Sequence, residues 1–157
     1  MRVGIGYDVH PLESGRALVL AGVRIEHSAG LGGHSDGDAL CHALIDAVLG
    51  AAALGDIGRH FPSDDEAYRD ADSLQLLRET VGLVADAGLA VVNVDTTVVA
   101  EAPRLAPHVD AMRANLADAL GVDTNAVSVK ATTADGLGSL GRGEGIAAFA
   151  VTLLDST

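Results

Sequence analysis

Residues 2–10, RVGIGYDVH, alternate strictly: Val3, Ile5, Tyr7 and Val9 are apolar, and Arg2, Gly4, Gly6, Asp8 and His10 are charged, polar or without a side chain. A period of two over nine residues predicts a β-strand with two unlike faces. Asp8 and His10 project together from one face, and the glycines leave space beside them. Further strands are expected at ALVLAGVRI (17–25, folding back on the first), VVNVDTTVV (91–99), AVSVK (126–130) and GIAAFAVTLL (145–154). Between them the period changes to helical. Ser35 reads as an N-cap with Asp38 at the capping-box position, followed by the stripe Leu40, Ala43, Leu44, Ala47, Val48 and Ala51. A second helix starts near Ser73 and ends near Gly88; a third opens at Pro107, buries Val109, Met112, Leu116 and Leu120, and stops at Gly121. GDIGRHFPSDDE (55–66) reads as a loop. This alternation predicts an α/β (α+β) two-layer sandwich, a mixed sheet with helices on one face. At 157 residues a single domain, 1–157, is expected. The other sheet face must also be covered, which a small domain achieves by oligomerising.

Charge limits the partners. Ten basic residues face 22 acidic ones, for a net charge of −12, so neither nucleic acid nor an anionic membrane is an expected partner. The only lysine is Lys130. An anionic ligand would need bound metal ions or backbone N–H groups to offset its charge. A single cysteine, Cys41, forbids an intrachain disulfide and fits a reducing compartment. Asp8 and His10 interrupt the start where a secretory signal would need an apolar run, and LAVVNVDTTVVA is too short to span a bilayer. A cytoplasmic protein is expected.

Two constellations carry chemistry. In the first, His42 falls on the first helix with Asp38 and Asp46 one turn to either side. Two histidines and one aspartate (His10, His42, Asp8) with an open fourth position make a catalytic zinc set, and Asp46 is the expected acceptor for the outer ring N–H of His42. Residues alone leave open a solvated Asp8–His10 strand end and a surface His42. The second constellation is VKATTADGLGSLGRGEGIAAF (129–149). GLGSLG matches G-x-G-x-x-G, but a strand follows it instead of a helix, so a dinucleotide site is rejected. Ser128, Lys130 and Thr132 share a strand face, and Thr133 and Asp135 follow, suiting a loop that contacts phosphate and a divalent ion. A glycine-rich turn remains the alternative.

GYDVH, HSDGDALCHALIDAVLGAAALGDIG, FPSDD, AEAPRLAPH, VKATTADGLG and GRGEGIA run in order from residue 4 to 148. Together they closely resemble the 2-C-methyl-D-erythritol 2,4-cyclodiphosphate synthases of non-mevalonate isoprenoid biosynthesis. The resemblance implies a homotrimer, packed around the uncovered sheet face, with active sites shared between neighbouring subunits. It implies Zn2+ held by Asp8, His10 and His42, and Mg2+ or Mn2+ at Asp135, where the family usually has glutamate. Lysine is frequent at the position of Gly136, an aromatic residue occurs at that of Ser139, and aspartate is frequent at that of Ser63. The implied reaction is intramolecular: a 2-phosphate oxygen of 4-diphosphocytidyl-2-C-methyl-D-erythritol 2-phosphate attacks the β-phosphorus, CMP leaves, and a cyclic diphosphate forms.

The same resemblance assigns roles. His34 and Thr133 stabilise the transition state. Ser35, Asp56 and Gly58 contact the methylerythritol phosphate part, Asp56 accepting from sugar hydroxyls; Asp8, His10, His34 and Ile57 are further substrate contacts, as are Phe61, Pro62, Ser63, Asp64 and Asp65 in the adjoining loop. Ala100, Glu101, Ala102, Pro103, Arg104, Leu105 and Ala106 form the cytosine pocket. Thr132, Thr133, Ala134 and Asp135 lie by the phosphates, with Ser139 and Arg142 nearby. Arg142 and Glu144, expected on one face of the last strand near the trimer axis, read as an intersubunit ion pair; contact with a phosphorylated isoprenoid in the central cavity is the weaker reading. Residues alone also permit a metal-dependent phosphohydrolase with water as nucleophile, or a non-catalytic trimeric module that binds metal or isoprenoid.

Overall fold

The computed structural model describes residues 1–157. The elements are β1 (Arg2–Ser14), β2 (Leu18–Leu20), β3 (Val23–Ile25), β4 (Ala29–Leu31), α1 (Ala39–Ala52), α2 (Ile57–His60), α3 (Ser73–Asp86), β5 (Leu89–Val99), α4 (Val109–Leu120), β6 (Val127–Thr132), α5 (Gly138–Gly141) and β7 (Gly145–Ser156). Five strands form one sheet in the order β4-β1-β7-β5-β6. β7 runs antiparallel between β1 and β5, and β6 returns parallel to β5 after α4, so the sheet is mixed as expected. The C-terminal ends of β1, β5 and β6 therefore share one end of the sheet. The register there runs Asp8–Ala148–Val98–Ala131 across four strands. Three interstrand steps of 4.7–4.9 Å put Asp8 roughly 14 Å from Ala131.

The glycines of RVGIGYDVH decide how α1 sits. A Cβ on Gly4 would lie 2.0 Å from the Ala47 carbonyl oxygen, and one on Gly6 would lie 1.8 Å from that of Ala43. The space beside Asp8 and His10 is thus filled by helix backbone. That close approach sets α1 directly over β1, and α1 is buried along nearly its whole length. With few aromatics, the core is built from leucine, valine, isoleucine and alanine, with Met112 fully buried at the α4 contact.

The alternation also has an outward half. Val3, Ile5, Tyr7 and Val9 point away from the helices, and Phe149 and Val151 of β7 lie beside them. Ile5 is 73% exposed, and the rings of Tyr7 and Phe149 meet at a centroid distance of 4.9 Å. Helices cover one sheet face, and the opposite face carries an apolar patch.

Several local expectations are corrected. Residues 17–25 do not pair with β1. They form a separate β2–β3 hairpin, while β4 pairs with β1. The hairpin turns on Ala21 and Gly22, both left-handed (φ 49° and 68°), as a two-residue hairpin requires. Ser35 is not the cap of α1. Asp38 is: its Oδ1 accepts from Cys41 N and Ala21 N, and its Oδ2 accepts from Gly22 N. One fully buried carboxylate thereby caps the helix and holds the hairpin turn against it, which a shorter serine at position 35 could not do. Residues 57–60 of the expected loop form α2, capped by Asp56. Pro107 lies in a 3₁₀ turn that leads into α4, and Gly121 ends that helix with φ 69°.

A candidate metal centre and active site

Strand β1 and helix α1 bring Asp8, His10 and His42 together, which resolves the open question about the strand end. Their donor atoms lie within 4.8 Å of one another. His10 Nε2 is 2.6 Å from Asp8 Oδ2, His42 Nδ1 is 3.2 Å from the same oxygen, and the two nitrogens are 3.1 Å apart. The side chains are 27% (Asp8), 16% (His10) and 11% (His42) exposed, so the cluster is reachable and mostly desolvated. Burial pushes the Asp8 carboxyl up, but the hydrogen bonds and charges of His10 and His42 outweigh it and hold it at about 2. Burial likewise depresses His10, and the Asp8 carboxylate more than reverses that, for a net upward shift.

The donor set fits a cation. Nδ1–H of His10 donates to the Gly32 carbonyl, which can only accept, so Nε2 of the neutral ring offers a lone pair to the cluster. Asp8 Oδ2 offers another. Converging lone pairs repel unless a proton or a metal ion sits among them.

The expected partner of His42 is replaced. Asp46 makes no hydrogen bond to the ring; its Oδ1 accepts from Ile57 N at 2.7 Å and so anchors α2. His42 Nε2 instead meets Ser73 Oγ at 2.9 Å and Ser35 Oγ at 3.0 Å. Ser73, read from the sequence only as a helix start, is the functional candidate that was missed. No spacing rule links residues 42 and 73; only the packing of α3 on α1 does.

A cavity of about 260 Å³ opens beside the cluster, lined by Asp8, His10, His34, Ser35, His42, Ile57, Gly58, Phe61, Ser63, Tyr68 and Leu76. Most of the residues assigned to the methylerythritol phosphate end are therefore assembled. Tyr68 and Leu76 had no sequence signal. His34 Nε2–H donates to the Asp65 carbonyl at 3.0 Å and ties the site to the 61–68 segment. Asp65 caps the following 3₁₀ turn; Asp56, Pro62, Asp64 and Asp65 do not line the cavity.

A second cleft of about 280 Å³ is lined by Ala100, Glu101, Pro103, Arg104, Leu105, Ala106, Ala131, Thr132 and Thr133. It gathers residues 100–106 except Ala102 beside Ala131–Thr133, and it shares no residue with the first cavity. At its edge Ala134–Leu137 form a turn, closed by Leu137 N to Ala134 O at 2.9 Å, with Asp135 and Gly136 both left-handed (φ 52° and 73°). Adjacent left-handed positions suit aspartate followed by glycine, so the two departures from the family pattern belong to one turn. Glu101 Oε1 accepts from Ala134 N, and Thr133 Oγ1–H donates to Asp135 Oδ1 at 3.2 Å.

One expectation for the C-terminal third fails locally, that for Arg142 and Glu144. Ser128, Lys130 and Thr132 do share the exposed face of β6; Lys130 Nζ donates to Asp95 Oδ2 at 2.6 Å there and holds that carboxyl below its usual range. Arg142 and Glu144 precede β7 instead of sharing one of its faces, and they pair with each other at 2.6 Å within one chain. Ser139 lies on α5 just before them.

A family model described as the YgbB family matches residues 1–155. The 2-C-methyl-D-erythritol 2,4-cyclodiphosphate synthase of Syntrophomonas wolfei is 59% identical over 155 residues, covering 99% of each chain. The bifunctional IspDF from Campylobacter jejuni superposes with a TM-score of 0.96 at 42% identity, over 99% of this chain and 42% of that longer one. A 2C-methyl-D-erythritol-2,4-cyclodiphosphate synthase in its CDP-bound form superposes with a TM-score of 0.90 at 38% identity, over 98% of this chain and all of that one.

Proposed function

The chain belongs to the YgbB family, and from its Asp8–His10–His42 cluster we infer the site of its 2-C-methyl-D-erythritol 2,4-cyclodiphosphate synthase activity, a cyclising, CMP-releasing step of isoprenoid biosynthesis. The convergence of those three lone-pair donors beside a cavity carries this reading. The family match over residues 1–155 supports treating the chain as one domain. We place it in the cytoplasm on its composition; no helix is long and apolar enough to cross a membrane.

Zn2+ is the ion we assign to Asp8, His10 and His42. Ligands about 2.0–2.1 Å from a tetrahedral ion stand about 3.3 Å from one another, close to the 3.2 and 3.1 Å that separate His42 Nδ1 from Asp8 and His10, while the 2.6 Å Asp8–His10 pair would open on binding. Mg2+ or Mn2+ is assigned to Asp135. When bound, the ions supply positive charge to the phosphate oxygens that this acidic chain otherwise lacks. The protein positions the reactants. No protein nucleophile is required, because the substrate's own 2-phosphate oxygen attacks the β-phosphorus and CMP leaves. His34 and Ser35 face the 2-phosphate end, His34 held in place through Asp65. Thr133, whose hydroxyl donates to Asp135 within the chain, would turn that hydrogen toward the diphosphate once an ion occupies Asp135. The backbone of 100–106 reads the cytosine edge. Asp46 and Asp56 fix α2, whose Ile57 and Gly58 border the methylerythritol.

We further propose that the working unit is a homotrimer with each site completed by a neighbour. Two observations support it. The metal cluster and the Thr132–Asp135 segment stand roughly 14 Å apart on one chain, whereas adjacent phosphates of one diphosphate share a bridging oxygen. The outer sheet face carries an apolar patch, and Asp95 Oδ1 is buried there with no hydrogen-bond partner in the chain. A cyclic, heterologous contact would cover that face and bring one chain's first cavity against the next chain's second cleft. Arg142 and Glu144, already paired within the chain, would lie near the axis.

Incubation with 4-diphosphocytidyl-2-C-methyl-D-erythritol 2-phosphate and Mg2+ tests the activity. CMP with a cyclic diphosphate is expected. CMP with a linear product would make the protein a phosphohydrolase, and no turnover with both metals supplied would make it a binding module.

A further inference from the structure

Ser73 is fully buried at the start of α3, and its hydroxyl has one hydrogen to give. That hydrogen goes to Asp36 Oδ1, while Asp36 Oδ2 accepts from Ser73 N at 3.0 Å. A carboxylate only accepts, so the direction of the Ser73–Asp36 bond is settled. Toward His42 Nε2, 2.9 Å away, Ser73 Oγ therefore has only a lone pair to offer. His42 must carry its proton on Nε2 and leave Nδ1 bare, facing Asp8 and His10. Ser35 Oγ also meets Nε2, but no carboxylate receives its hydrogen, so it leaves the polarity of that contact open.

We propose that Asp36, acting through Ser73, is the positioning residue that selects the Nε2–H tautomer of His42 and so prepares Nδ1 to bind the metal ion of the active site. The chain Asp36–Ser73–His42 does for His42 what the Gly32 carbonyl does for His10: each outer ring nitrogen is held as a donor, and each inner one is left as a ligand. Asp36 is itself fixed, since its N–H donates to the Ala71 carbonyl at 3.2 Å and its Oδ1 also accepts from Asp38 N at 3.1 Å. It thereby couples the loop before α1 to the start of α3. A misplaced proton on Nδ1 would cost the site one ligand without moving any ligand residue.

The inference rests on reading Asp8, His10 and His42 as a metal site, and its test separates the two. Ring-nitrogen NMR of the metal-free, histidine-labelled chain, at a pH where the ring is neutral, reports the tautomer directly. His42 is expected as Nε2–H in the parent and in Ser73→Thr, and as a tautomer mixture in Ser73→Ala. Zn2+ affinity, read by chelator competition, is expected to fall about 10–100-fold in Ser73→Ala and to recover in Ser73→Thr. Ser73→Ala keeps the backbone N–H that Asp36 Oδ2 binds, so the fold is retained, which thermal unfolding checks. Asp36→Ala, which leaves the Ser73 hydrogen free to turn toward His42, is expected to give a tautomer mixture like that of Ser73→Ala. A parent carrying the proton on Nδ1, or a Ser73→Ala variant with the parent's tautomer and affinity, overturns the proposal. A parent that binds no zinc but shows the Nε2–H tautomer would instead overturn the metal-site reading.

Discussion

His42 Nδ1 lies 3.2 Å from Asp8 Oδ2 although 34 positions separate the two residues and they belong to a helix and a strand. The contact exists because Gly4 and Gly6 let α1 rest directly on β1. Ala43 and Ala47, whose carbonyls meet those glycines, follow His42 on the helix by one and five residues. The same close packing that builds the core therefore sets the separation of the metal ligands.

His42→Ala removes one of three ligands while leaving α1 with a good helix former. Zinc that survives gel filtration in the parent is expected to be lost from the variant, with turnover reduced at least about a hundredfold. Metal analysis of the eluted peak checks it, and full zinc retention would refute the ligand assignment.

Gly6→Ala places a methyl group against helix backbone, which cannot yield as a flexible side chain would. A destabilisation of roughly 3 kcal/mol or more is expected, at the upper end of overpacking costs. Urea unfolding measures it. Metal affinity should fall in the same variant, because lifting α1 separates His42 from Asp8.

Without metal, the Asp8–His10 pair makes stability depend on pH. Asp8 is held at about 2 against an ordinary 3.8, so its contribution is complete above 3.8 and is lost as pH falls through 2. His10 is raised above its ordinary 6.5, so its contribution is complete below 6.5 and is lost as pH rises through the raised value. Unfolding in chelator at about pH 5.5 and about pH 9 should show the parent losing more stability than Asp8→Asn between the two. Parallel losses would show that the pair contributes nothing.

Shared sites make a complementation prediction. Asp8→Asn and Asp135→Ala chains disable opposite halves, so each is expected to be inactive alone. Random mixing after dissociation should restore activity to roughly a quarter of the sites, since half of each kind of contribution is intact. No recovery from chains shown to exchange would place both halves of a site on one chain.

The sequence by itself determined the strand and helix periods, the mixed two-layer architecture and the three metal-ligand candidates, because these depend on local alternation, β-branched runs and residue chemistry. Thr132, Thr133 and Asp135 carried a signal of their own, hydroxyls and a carboxylate after a strand, whereas residues 100–106 were legible only through family likeness, since small and backbone-reading positions carry no chemical signature. Tertiary structure alone decided the rest. Asp38, not Ser35, caps α1, because only a buried carboxylate could also satisfy the hairpin turn. Ser73, not Asp46, meets His42, because α3 packs on that edge of α1 while Asp46 is drawn to the N–H of Ile57. In each case several local partners were chemically equivalent in the sequence, and the choice among them was made by which one the packing of distant elements left within hydrogen-bond reach.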